Sequence, residues 1–123
     1  MIVGVAANDA SKSTTTSTAF VQKATLTTSS LASGTYRIGW MYEWSYNSAS
    51  NSFLGRVQLN GTTIMDHRQE PKDPATSQYH QVGGFYYAVG ISGVQTIDID
   101  YATSINTSTS RIRRARIDIW RVA

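Results

Sequence analysis

Residues 36–46 read Tyr-Arg-Ile-Gly-Trp-Met-Tyr-Glu-Trp-Ser-Tyr. The even positions are Tyr36, Ile38, Trp40, Tyr42, Trp44 and Tyr46, and the odd ones are Arg37, Gly39, Met41, Glu43 and Ser45. A period of two sends successive side chains to opposite faces of a strand. One face is then a wall of large rings and the other is small or charged. β-branched and aromatic residues suit a pleated, half-buried surface. At about 3.3 Å per residue the run spans roughly 36 Å, enough to cross a small sandwich. It reads as a central strand whose rings face a second sheet. The alternative for its far end, Trp44 and Tyr46, is a stacking platform for sugars or bases.

The remaining strands follow from alternation and turn chemistry. In 19–27, Phe20, Gln22, Ala24 and Leu26 share one face, with Val21, Lys23 and Thr25 on the other. Asn60-Gly61 suits a two-residue hairpin turn, because both central positions need positive φ. That turn pairs Leu59 with Thr62, Gln58 with Thr63, Val57 with Ile64 and Arg56 with Met65. Pro71 and Pro74 make 67–78 a loop and a candidate contact segment. Phe85, Tyr87, Val89 and Ile91 alternate, after Gly83-Gly84, which marks a bulge or a close backbone approach. Ile97, Ile99 and Tyr101 oppose Asp98 and Asp100. The last strand turns Ala115, Ile117 and Ile119 inward and Arg114, Arg116, Asp118 and Trp120 outward. Seven or eight such strands, with no amphipathic helix and no internal repeat, predict an all-β, antiparallel two-sheet sandwich. The domain is expected over 19–123.

Residues 1–18 end in a Ser/Thr-rich tract with little apolar area to bury. They read either as a short N-terminal arm lying on a partner or as a first strand packed on the same domain. In the arm reading, Ile2, Val3 and Val5 are the contact residues.

The chain has 123 residues, enough for one domain with its own core, and no cysteine, so disulfides and thiolate metal sites are excluded. No stretch approaches the roughly 18 apolar residues that cross a bilayer as a helix, and no membrane partner is expected. The start carries no basic leader of the secretory kind. The net charge of +3 is local. Residues 111–123 hold five arginines against Asp118, while the rest of the chain carries six basic and seven acidic groups. Arg113, Arg114 and Arg116, with Trp120 beside them, are candidate contacts for an acidic protein patch or another copy. Nucleic acid is not the expected partner, since such a module interleaves exposed rings with its charge. Asp98 and Asp100 are expected to pair with Arg114 and Arg116 across neighbouring strands, rather than to bind calcium. Asp66, His67, Arg68 and His80 lack any nucleophile motif, so the chain is read as a non-enzyme without cofactors.

One resemblance covers about forty residues. Val82-Gly83-Gly84-Phe85-Tyr86-Tyr87, then Thr96-Ile97-Asp98-Ile99-Asp100-Tyr101, then Ala115-Arg116-Ile117-Asp118-Ile119-Trp120-Arg121 looks like the end of compact jelly-roll domains of bacteriophage virion proteins. Those resemble the tumour-necrosis-factor-like trimeric sandwich. The resemblance implies jelly-roll topology, a homotrimer, and a capsid decoration or cement role on the virion exterior after synthesis in the host cytoplasm. The major capsid protein is then the partner. The alternative it leaves open is a receptor- or glycan-binding tip of a tail or head fibre. It carries over no catalytic residue.

Overall fold

The computed structural model describes residues 4–72 and 78–123. Nine strands occur among them: β1 (Gly4–Asp9), β2 (Ser13–Thr15), β3 (Val21–Thr27), β4 (Leu31–Tyr46), β5 (Phe53–Leu59), β6 (Thr62–Gln69), β7 (His80–Gly93), β8 (Thr96–Thr103) and β9 (Ser110–Arg121). One sheet runs β1-β9-β4-β7, with β2 also on β9, and the other runs β3-β8-β5-β6. Every pairing is antiparallel. The partners nest: β5 with β6, β4 with β7, β3 with β8, β1 with β9. This is one long hairpin wrapped into two facing sheets, the jelly-roll arrangement.

The ring wall is the core. Tyr36, Ile38, Trp40, Tyr42, Trp44 and Tyr46 are all buried, facing Phe53, Val57, Ile97, Ile99 and Tyr101 of the opposite sheet. Trp44 stacks on Phe53 with ring centroids 5.1 Å apart. Trp44 and Tyr46 are therefore core, not a platform. A buried phenol needs a partner for its hydroxyl. Tyr36 donates to the Ala32 carbonyl at 2.7 Å, Tyr46 meets Thr103 Oγ1 at 2.6 Å, and Tyr42 meets His67 Nδ1 at 2.7 Å. His67 Nε2 donates to Gln69 Oε1 at 3.0 Å, which leaves Nδ1 as acceptor for Tyr42. Burial holds the imidazole below its usual range.

The structure departs from the sequence reading at several points. Residues 1–18 are not a free arm over their described part. β1 pairs with β9 from Gly4↔Trp120 to Asp9↔Ala115, and β2 adds three more pairs. Val5 packs partly against this chain's own core. Ile2 and Val3 lie outside the described residues. A free edge of β9 is a stronger template for strand pairing than the polar composition of 1–18 is a bar to it.

In β3 a register shift at Lys23 breaks the alternation. Lys23 and Ala24 are both buried and Gln22 is exposed. Lys23 Nζ meets the Ser11 carbonyl at 2.6 Å, Ser13 Oγ at 2.9 Å and Asp9 Oδ2 at 3.1 Å. The ammonium thus ties β3 of one sheet to the β1–β2 connection of the other. Hydrogen bonds from Ser11, then from Lys23, lower the Asp9 carboxyl to about 2.

The hairpin has the expected turn, with φ of 51° at Asn60 and 82° at Gly61. Leu59 pairs with Thr62 and Gln58 with Thr63, but Val57 then pairs with Met65 and Arg56 with Asp66. A bulge takes up Ile64, and the register beyond it shifts by one. β6 continues to Gln69, so His67 and Arg68 belong to a strand and not to a loop. Residues 73–77 of the expected contact loop, Pro74 included, lie outside the described residues. Asp98 and Asp100 are on β8, in the sheet opposite β9, so they do not face Arg114 and Arg116. Asp100 pairs instead with Arg56 at 2.8 Å.

Two outcomes test these networks. Lys23→Ala lowers stability to urea by about 2 kcal/mol, because the charge-assisted set made by a buried side chain is lost. Asp9 has a folded pKa below its unfolded value, so its contribution is present above pH 3.8 and is lost as pH falls toward 2. The difference between wild type and Asp9→Asn therefore closes over that window. His67 behaves differently. Below its ordinary value of 6.5 the unfolded chain takes up a proton that the folded chain refuses. Urea midpoints accordingly fall as pH drops from 7 toward 5, and His67→Gln flattens that slope.

Candidate binding face

The outward side of the β1-β9-β4-β7 sheet carries the side chains that β4 does not bury. β4 supplies Arg37, Gly39, Met41 and Glu43. β9 lies on one side of it, placing Trp120 opposite Arg37, Asp118 opposite Gly39 and Arg116 opposite Met41. β7 lies on the other, placing Tyr87 opposite Arg37, Phe85 opposite Gly39 and Gly83 opposite Met41.

A bulge shapes the arginine run. The β4–β9 register shifts between Met41↔Arg116 and Glu43↔Arg113, and Arg114 sits at φ 51°. Positive φ is costly for a side chain of this size and persists where the surroundings enforce it. The result is that Arg113 and Arg114, neighbours in sequence, both reach Glu43. Arg113 Nε donates to it at 2.7 Å and Arg114 Nη1 at 3.2 Å. Hydrogen bonding from Arg113 first, then Arg114, keeps the Glu43 carboxyl below its usual range. The Arg113 guanidinium also lies 3.8 Å from the Tyr79 ring centroid. Arg116 Nε is 3.7 Å from Asp118 Oδ2. Sequence candidates Arg113, Arg114, Arg116 and Trp120 are thus brought to one face. Glu43 and Asp118 offset part of their charge, which leaves no bare basic stripe.

Toward β7 the face turns aromatic. The Arg37 guanidinium carbon lies over two rings, 4.6 Å from the Phe85 centroid and 4.9 Å from that of Trp120. Phe85 and Tyr87 meet edge to face at 5.4 Å. Between Arg37, Met41, Arg116, Asp118 and Trp120 lies an open depression of about 450 Å³. Its floor is Gly39, where a Cβ would lie 2.5 Å from Asp118 Oδ1 and 3.2 Å from Arg37 Nη1.

β7 is the sheet's edge strand. Its sequence, His80–Gly93, contains no Lys, Arg, Asp, Glu or Pro. Phe85 is 54% exposed and Val89 78%, and Tyr86 and Tyr87 are exposed beside them. Edge strands are ordinarily blunted by charge, proline or cover, and β7 has no charge or proline of its own. Reading the alternation alone missed this surface. Phe85, Tyr87 and Val89 look like a core stripe in sequence, and nothing in their spacing says that β7 ends up outermost. Of the side chains named for acid–base chemistry, the rings of His67 and His80 both pack on Trp44, at 5.3 and 4.9 Å between centroids, and the carboxylate does not join them. Asp66 pairs in register with Arg56, on the face opposite His67, whose ring is engaged with Tyr42. Among the described residues no group of three or more His, Asp or Glu is placed to hold a metal ion.

No protein-family model matches the chain. No curated protein matches it either. Solved structures do share its fold. The insecticidal delta-endotoxin Cry8Ea1 of Bacillus thuringiensis aligns with 91% of this chain at a TM-score of 0.53 and 17% identity, over 20% of its own length. Infectious bursal disease virus, Gx strain, aligns with 98% of this chain at 0.51 and 10% identity, over 31% of its own. A family 35 carbohydrate-binding module from Clostridium thermocellum aligns with 94% of it at 0.45 and 8% identity, over 97% of its own length. The chain therefore spans a fifth to a third of the first two. At these identities the likeness to them is one of fold: an all-β jelly-roll sandwich.

Proposed function

We propose that this chain is a structural protein of a bacteriophage particle, a capsid decoration or cement protein that self-associates and bridges neighbouring subunits of the major capsid protein. The observation that carries the reading is the β7 edge. A charge-free edge strand flanked by exposed Phe85, Tyr86, Tyr87 and Val89 is a surface built to be covered. A second copy in a closed ring covers it without leaving a sticky end. The nested jelly roll gives a rigid block, and a viral protein is among those with this fold. The interior is filled by rings and isoleucines, and the hydroxyls of Tyr36, Tyr42 and Tyr46 are each hydrogen-bonded. The work proposed is accordingly mechanical and non-enzymatic, placed on the particle exterior.

The arginines fit into this scheme as contacts rather than anchors. Arg114 is 61% exposed at its side chain and Arg116 53%, so each can reach an acidic group on a capsid subunit while keeping its partner on the sheet. Many copies on a lattice turn such weak contacts into firm attachment. From Gly4 onward the N-terminal segment is already paired on β9, so attachment is assigned to this face and to β7.

The solution mass is expected to be about 40 kDa, three copies of the 13.5 kDa chain. Phe85→Asp with Tyr87→Asp, both at exposed positions, converts it to a folded monomer with unchanged circular dichroism. A wild-type chain that sediments as a monomer at micromolar concentration refutes the self-association. Peptide mass analysis of purified particles of the phage that encodes the chain finds it in amounts comparable to the major capsid protein. Its absence from those particles refutes the virion role.

A further inference from the structure

We propose that the depression over Gly39 is a binding site for a neutral sugar ring of a glycan. The argument begins with two charges that face each other without pairing. The Arg37 guanidinium carbon lies over two rings, Phe85 and Trp120, and its N–H groups have no hydrogen-bond partner among the described residues. Asp118 likewise makes no hydrogen bond among them. Its Oδ1 is shielded from solvent and unpartnered, and its nearest cation, Arg116, is 3.7 Å away. A half-buried carboxylate without a donor is an unusual arrangement, because desolvating it without compensation is unfavourable. Gly39 lies between them: a Cβ there would fall 2.5 Å from Asp118 Oδ1 and 3.2 Å from Arg37 Nη1, so any larger residue would crowd both groups.

The chemistry of the gap selects its occupant. An anion meets Arg37 and Arg116 but is repelled by Asp118. A cation meets Asp118 but is repelled by both arginines. A hydroxyl satisfies both sides, since its oxygen accepts from the guanidinium and its proton goes to Asp118 Oδ2, the carboxylate oxygen that is not shielded from solvent. Vicinal hydroxyls on a ring do this repeatedly. The apolar C–H face of such a ring finds matching surface on Trp120 and Met41, which also line the depression. The volume of about 450 Å³ falls within the range of small-molecule sites, and its openness to solvent suits one residue of a longer chain. The site is independent of the virion role, since the isolated chain is the test object.

Saturation-transfer NMR with the methyl glycosides of glucose, galactose, mannose and N-acetylglucosamine tests this, with glucuronate and glucosamine as charged comparators. At least one neutral glycoside is expected to bind with a Kd on the order of 1 mM, and its signal to compete with a glycan that contains the same sugar. Asp118→Ala and Arg37→Met, both substitutions on the outward face, each weaken it roughly tenfold or more while leaving the melting curve in place. Silence of all four neutral glycosides overturns the proposal. So does preferential binding of either charged sugar, or binding that survives both substitutions.

Discussion

The structure depends on the burial of one face of β4. Six large side chains from Tyr36 to Tyr46 must leave water together, and each full burial is worth about 1.5–3 kcal/mol. No single sheet accomplishes that. The second sheet is recruited to cover them, and Phe53, Val57, Ile97, Ile99 and Tyr101 supply the opposing layer. The same demand makes β4 central, because only a strand flanked on both sides, by β7 and β9, keeps all six rings from the edge.

Burying tyrosine brings a polar obligation that propagates outward. The hydroxyls of Tyr42 and Tyr46 find partners on β6 and β8, and that of Tyr36 finds one on its own strand. His67 is the clearest case. Its place in β6 looks like chemistry in sequence, beside Asp66 and Arg68, yet its ring closes the Tyr42 network. The lysine at position 23 has a comparable task at the other end of the sandwich, joining the two sheets through the Asp9–Ser13 turn. Both titratable groups are thus structural.

What β4 does not bury becomes the outward surface. Strand alternation makes the two inseparable: the ring wall inside requires Arg37, Gly39, Met41 and Glu43 outside. Flanking strands then add their own outward residues, and the face acquires a graded character. Near Glu43 it is an ion-pair set with Arg113 and Arg114. Near Arg37 it is aromatic, and along β7 it is apolar and open. A jelly roll by itself does not specify function, as the insecticidal and viral proteins that share it make plain. The functional reading rests on this face and edge.

Local pattern alone determined the all-β class, the core face of β4, the Asn60-Gly61 turn, and which residues of 115–120 point outward. Those follow from a period of two and from backbone preferences, which are properties of neighbouring residues. Tertiary structure decided the rest. It placed β1 on β9 where an arm was one reading, separated Asp98 and Asp100 from the arginines by a whole sheet, and made β7 an edge. It also introduced one-residue shifts at Lys23, Ile64 and Arg114, each of which reassigns side chains to faces. The physical reason is the same throughout. Strand order and bulges are set by what two sheets must cover and pair when they meet, and that energy resides in contacts between residues far apart in the chain.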